Sequence, residues 1–196
     1  MLALLRLSPL LLILACAKKA PIEAPPAPPP DPWPELVCPE GTLKVGDAPP
    51  QGFHVWCRLQ LPSGRWVKAG GAVDFHDTGE LQAEGAYDHD KKVGTWRTYY
   101  PSGAVQVEAQ FEAGQEQGAW VEFHDNGQKK AEGDMANGHR VGPWVYWHAN
   151  GQKRLEGVWL DGVEDGKWLE FREDGTLRAE SFYKFGRLIS QNAHSE

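Results

Sequence analysis

Residues 118–141 read GAWVEFHDNGQKKAEGDMANGHRV, and this stretch decides the fold because the chain repeats its pattern. Glycines stand at Gly70, Gly94, Gly118, Gly142 and Gly166, 24 residues apart. Nine residues after each comes a second glycine, Gly79, Gly103, Gly127, Gly151 or Gly175. Five after the first is an aromatic, Phe75, Tyr99, Phe123, Trp147 or Phe171, and fourteen after it is Glu84, Glu108, Glu132, Glu156 or Glu180. Trp96, Trp120, Trp144 and Trp168 hold the third position, which the first copy breaks with Ala72. One period held without slip marks stacked units, each covered by its neighbours rather than by a common core.

Within each copy two alternating halves are joined by HDTG, YPSG, HDNG, HANG or REDG, and strand, tight Gly turn, strand is a β-hairpin. A three-residue loop ending on a left-handed Gly sets Phe123 opposite Lys129, Phe75 opposite Leu81 and Tyr99 opposite Val105. It also sets Val121 opposite Ala131. One face then carries Val121, Phe123, Ala131 and Met135. The other carries the Trp ladder, with Trp120 across from Glu132. The residue after each repeated Glu is small, namely Gly85, Ala109, Gly133, Gly157 or Ser181, which leaves room for a neighbouring ring to lie over the backbone. The expected fold is all-β, an elongated single-layer antiparallel meander of five stacked hairpins over residues 70–188, with a tail at 189–196.

The form G-x-W-x-x-[YF]-x-x-x-G-x-x-x-x-E-G resembles MORN-type repeats, and in particular their bacterial variant known as the YwqK family of antitoxins. That resemblance implies an elongated, twisted antiparallel sheet and a binding role.

Working back from the array, residues 35–69 hold Cys38 and Cys57, the remaining cysteines if Cys16 is modified. In an oxidising compartment they are expected to form a disulfide, closing a loop whose chain entropy is worth ~3 kcal/mol. The segment looks like the cap of lipoproteins of this type. Residues 17–34, AKKAPIEAPPAPPPDPWP, are too proline-rich for helix or sheet and favour an extended tether on the order of 50 Å long. Residues 1–15 have one Arg, an apolar run and a small residue before Cys16, the pattern of an export signal too short for a comfortable bilayer span. Ile13-Leu14-Ala15-Cys16 resembles a lipobox, although Leu is usual at the first place and a smaller residue at the second. The resemblance implies that Cys16 is lipidated and becomes the first mature residue, held in the membrane by its acyl chains. Ala17 then resembles outer-membrane sorting in Gram-negative bacteria.

The net charge of -7 disfavours nucleic acid and anionic lipid surfaces as partners. Asp77-Thr78-Gly79 spells an aspartic-protease signature but occupies a hairpin turn and has no second copy to supply the partner carboxylate. His76, His124 and His148 recur two strands apart, about 9.5 Å at ~4.8 Å per strand, too far to share one ion, and read as solvated residues beside turns. No catalytic, cofactor or metal motif is found, so the expected protein is not an enzyme and needs no cofactor. The candidate interaction surface is Trp96, Trp120, Trp144 and Trp168 with Glu108, Glu132 and Glu156, a stripe suited to sugars, cationic side chains or a peptide. The plainer reading, that the Trp residues pack to hold a single sheet together and the Glu residues keep their face wet, is preferred over a binding stripe. The leading expectation is a lipid-anchored envelope scaffold for protein or glycan partners. The alternative is an antitoxin or immunity protein that binds a toxin directly.

Overall fold

The computed structural model describes residues 36–194, so the leader, Cys16 and the proline-rich tether lie outside the described residues. Thirteen strands form one sheet in chain order: β1 (Leu43–Asp47), β2 (His54–Gln60), β3 (Trp66–Phe75), β4 (Leu81–Asp88), β5 (Lys91–Tyr99), β6 (Val105–Glu112), β7 (Gln115–Phe123), β8 (Lys129–Ala136), β9 (His139–Trp147), β10 (Lys153–Leu160), β11 (Val163–Phe171), β12 (Leu177–Lys184) and β13 (Arg187–Ala193). Every neighbour is antiparallel, which makes an open single-layer meander. The ten strands β3–β12 are the five expected hairpins. Strands β1 and β2 of the N-terminal segment continue the same sheet, and β13 continues it through residues expected to be a tail.

Two kinds of turn alternate along the ribbon. At one edge the glycines of the three-residue loops, Gly79, Gly103, Gly127, Gly151 and Gly175, have φ between 79° and 102°, as the HDNG-type sequences require. At the other edge are two-residue turns with both central residues at positive φ, such as Asn137 (51°) and Gly138 (79°). Such paired positive φ values belong to the turn whose twist matches a hairpin's strands.

The register near each three-residue loop is as expected: Phe123 pairs with Lys129, Phe75 with Leu81 and Tyr99 with Val105. Farther along, it is not. Glu122 pairs with Ala131 and Val121 with Glu132, so Lys130 is an extra residue in a β-bulge, and the Val121–Ala131 pairing expected from simple alternation does not occur. The same shift recurs in every repeat hairpin, at Gln82, Gln106, Lys130, Arg154 and Arg178. A bulge resets the alternation beyond it. Ala131 and Met135 therefore share a face with Trp120, not with Val121 and Phe123, while Glu132 lies on the opposite face from Trp120.

The core is correspondingly divided. On the Trp face, Ala131, Met135, Trp144, Tyr146 and Trp168 form a buried cluster, with Trp120, Leu155, Trp159 and Tyr183 packed against it. On the Glu face, at the N-terminal end, Val55, Val73 and Phe75 are buried beneath Leu36, Ala48 and Leu81. The Cys38–Cys57 disulfide, with Cα atoms 5.5 Å apart, ties the first described residues to β2.

Candidate interaction surfaces

The Trp column is set by what lies beside it. Trp96, Trp144 and Trp168 lie over Gly85, Gly133 and Gly157, where a β-carbon would overlap the ring. This is the space the small residue after each Glu was expected to leave. The indole N–H groups of Trp96 and Trp144 donate to the carbonyls of Ala86 (3.0 Å) and Asp134 (3.2 Å). All three rings are buried, Trp144 at 1% exposure. Trp120 pairs with Ala109 instead, and only it of the four stays half-buried. Rings lying on glycine backbone and against one another keep most of the ladder covered in a single layer.

Further members complete the roof. Tyr87, Phe111, Met135, Trp159 and Tyr183 form a second column at the same period. Tyr87 meets Trp96 edge-on at 5.0 Å and Trp159 meets Trp168 at 5.3 Å. Lys92 stands 4.2 Å from the Trp96 ring centre and Arg140 4.9 Å from that of Trp144. Cations over ring faces are favourable and leave the charged end wet.

The Glu column lies on the opposite face, so the structure does not bring the two halves of the expected stripe together. Each carboxylate has a partner within the array. Arg97 binds Glu108 at 2.8 Å and approaches Glu84 at 3.9 Å, and the Tyr99 hydroxyl donates to Glu84 at 2.6 Å. Lys129 binds Glu132 (2.5 Å), Lys153 binds Glu156 (2.7 Å) and Lys167 binds Glu180 (2.6 Å). Burial, and then the bond to Glu84, hold the Tyr99 phenol well above its ordinary value. On the same face a cavity of about 340 Å³ opens between Leu36, Val37, Val73, Glu84, Thr95 and Arg97.

The recurring histidines do more than sit beside turns. His76, His124 and His148 donate from Nε2 to the carbonyls of Tyr99 (3.1 Å), Trp147 (3.1 Å) and Phe171 (3.0 Å), each in the next repeat. A carbonyl acceptor requires the Nε2–H form. Tyr100 and Arg172 hold the same position and reach Phe123 O and His194 O. The opposite edge is stitched by backbone: Gly114, Gly138, Gly162 and Gly186 N–H groups donate to carbonyls of Lys92, Glu116, Arg140 and Glu164 at 2.8–3.0 Å. The signal for the side-chain row was a hydrogen-bonding residue at one fixed repeat position. Among the described residues, no group of three or more His, Cys, Asp or Glu is placed to hold a metal ion.

Three segments, residues 92–113, 116–137 and 164–185, match a family model described as a MORN repeat variant. These three hairpins are similar to MORN-variant repeats. Each matched segment is one hairpin whose first strand carries the Trp, and residues 140–161, in the same phase, carry the same Gly142, Trp144, Gly151 and Glu156 columns. No curated protein matches the chain. Among solved structures it is similar to a Glycosylation Associate Protein (Gap123) complex from Streptococcus agalactiae, at 15% identity over 67% of this chain and 19% of that one, with a TM-score of 0.23. A likeness that slight bears on neither fold nor function, and this chain spans about a fifth of that protein's length.

Proposed function

We propose that the chain is a non-catalytic interaction scaffold of the bacterial cell envelope, tethered by lipid on Cys16 and presenting its repeat array to protein partners. The observation that carries this reading is the stitching of both edges. Side chains bind the three-residue turns to the next repeat, and backbone bonds bind the two-residue turns to the preceding hairpin. A single sheet held this way keeps its surface columns at fixed spacing, which suits a platform better than a flexible tail. The lipid and the envelope rest on the sequence of residues 1–34 alone.

Cross-linking in live envelopes followed by mass spectrometry tests the scaffold. A partner captured by the array, and lost when the array is deleted behind an intact tether, is the expected result. Capture that persists without the array would sink the proposal. A toxin recovered as that partner would instead make the chain an immunity protein, the role its YwqK-type resemblance implies. Replacing Cys16 with Ser is expected to release the exported protein from membranes, and continued membrane fractionation after leader cleavage would refute the lipid anchor.

A further inference from the structure

One repeat position projects onto the Trp face four residues before the Trp column: Lys68, Lys92, Glu116, Arg140 and Glu164. Where it is basic, it sits between two rings. Lys68 Nζ is 5.1 Å from the Trp56 centroid and 4.7 Å from that of Tyr87. Lys92 Nζ is 4.2 Å from Trp96 and 5.1 Å from Phe111, and the Arg140 guanidinium is 4.9 Å from Trp144 and 5.2 Å from Trp159. The two ring columns thus build the same seat twice, filled by Lys92 and Arg140, and Lys68 occupies a like seat in which Trp56 of β2 stands in for the missing Trp beside Ala72.

The last repeat builds the rings and changes the residue. Trp168 on β11 and Tyr183 on β12 have centroids 6.3 Å apart at 75°, but the position beside them is Glu164. Trp159, Trp168, Tyr183, Glu164, Glu170 and Ser181 line a cavity of about 150 Å³. Glu170 is bound by Arg178 at 2.8 Å, whereas Glu164 has no ion pair within 4.0 Å among the described residues. Glu116 is also acidic, yet the second ring there is replaced by Met135, so the two-ring seat with an acid occurs in the last repeat.

We propose that this cavity seats the basic side chain, a lysine ammonium or arginine guanidinium, of a partner protein. The chain's own repeats show what the two rings accept, and Glu164 supplies the opposite charge in place of the internal cation. Gln191 of β13 lines the cavity, so the seat lies beside the last strand of the sheet among the described residues. The net charge of -7 favours a basic partner at longer range. This inference rests on the scaffold reading and names the chemistry of its partner.

The test is a titration of the full-length chain, purified in a non-ionic detergent, with n-butylammonium, with a short lysine peptide and with n-butanol, following indole N–H resonances by NMR. Both cations are expected to move the Trp168 resonance saturably, assigned by its loss in Trp168→Phe, with the peptide binding at least as tightly as the amine and n-butanol having no effect. Glu164→Gln is expected to weaken binding about tenfold. Glu164→Lys, which restores the cation of the other repeats, is expected to abolish binding and raise Tm. No saturable shift with either cation, or an unchanged titration in Glu164→Lys, would overturn the site. Binding of the amine without the peptide would overturn the partner side chain as occupant. The titration needs no envelope partner, so its failure is distinct from a failure to capture one.

Discussion

On the Trp face, Trp144 is 1% exposed although no second layer covers it among the described residues, whereas the Glu132 side chain on the opposite face remains 37% exposed. Both residues belong to the same pair of strands. The Trp face excludes water by letting Trp96, Trp144 and Trp168 each lie on a neighbour's glycine, so the sheet supplies both the ring and its floor. The Glu face relies on short-range ion pairs that repeat without being buried. Stability is therefore concentrated on one side of a one-layer protein, and the other side is left to vary in charge. The exception is the N-terminal end of the Glu face, where Leu36 and Ala48 cover Val55, Val73 and Phe75.

The largest effect is expected from Trp144→Ala, which removes a fully buried aromatic and should cost ~3–5 kcal/mol by denaturant unfolding. Trp168→Ala should fall close to it, because Trp168 is 4% exposed, and Trp120→Ala should cost about half as much. Position along the array would instead rank Trp120 with Trp144 as central rings, above Trp168. The measured order decides between burial over glycine and distance from the end. Equal losses at Trp120 and Trp144 would break the link between glycine and stability.

Replacing both Cys38 and Cys57 with Ser should cost ~3 kcal/mol, the chain-entropy value for a loop of about this length. The loss should be confined to the N-terminal hairpins, since Leu36 would no longer be held over Val73. Hydrogen exchange checks this: faster exchange in β2 and β3 with β7–β11 unchanged is expected, and uniform acceleration would show that the cap stabilises the whole array.

Gly133→Ala should cost ~1–3 kcal/mol because the added methyl must displace the Trp144 ring. In a Trp144→Ala background the same change should cost almost nothing. A double-mutant cycle that came out additive would show that the glycine matters for backbone conformation rather than as a floor.

Much of this was legible in the sequence, for definite reasons. The period, the hairpins and the left-handed Gly of each HDNG-type turn follow from residue types with a single local meaning. The glycines after Glu84, Glu132 and Glu156 likewise announced the rings that cover them. The faces were not legible because period-two alternation assumes no inserted residue, and each second strand contains one at Gln82, Gln106, Lys130, Arg154 or Arg178. The clue was that this column is uniformly long and polar, as suits a residue with no cross-strand partner. The Asn137-Gly138 and Asp161-Gly162 turns take paired positive φ, but the backbone bonds they make to Glu116 and Arg140 leave no side-chain signature in the sequence.

His148→Ala should cost ~1 kcal/mol, as it leaves the Phe171 carbonyl without its donor at a partly exposed turn. His148→Gln is expected to recover part of the loss by offering an amide N–H. A full loss in both variants would show that the ring's packing matters more than its hydrogen bond.

The smallest effect belongs to the Glu face itself. Lys153 and Glu156 are 2.7 Å apart, but their side chains are 52% and 30% exposed, so Coulomb attraction is screened and two long side chains must be ordered to make the bond. Glu156→Gln should therefore cost no more than ~1 kcal/mol. The cost should shrink further at 1 M salt, where the screening length is ~3 Å. Unfolding Glu156→Gln beside the wild type at low and high salt reads both effects. A loss approaching that of Trp144→Ala, and persisting in high salt, would mean that the carboxylate column holds the sheet together as strongly as the rings do, and that the two faces share the load.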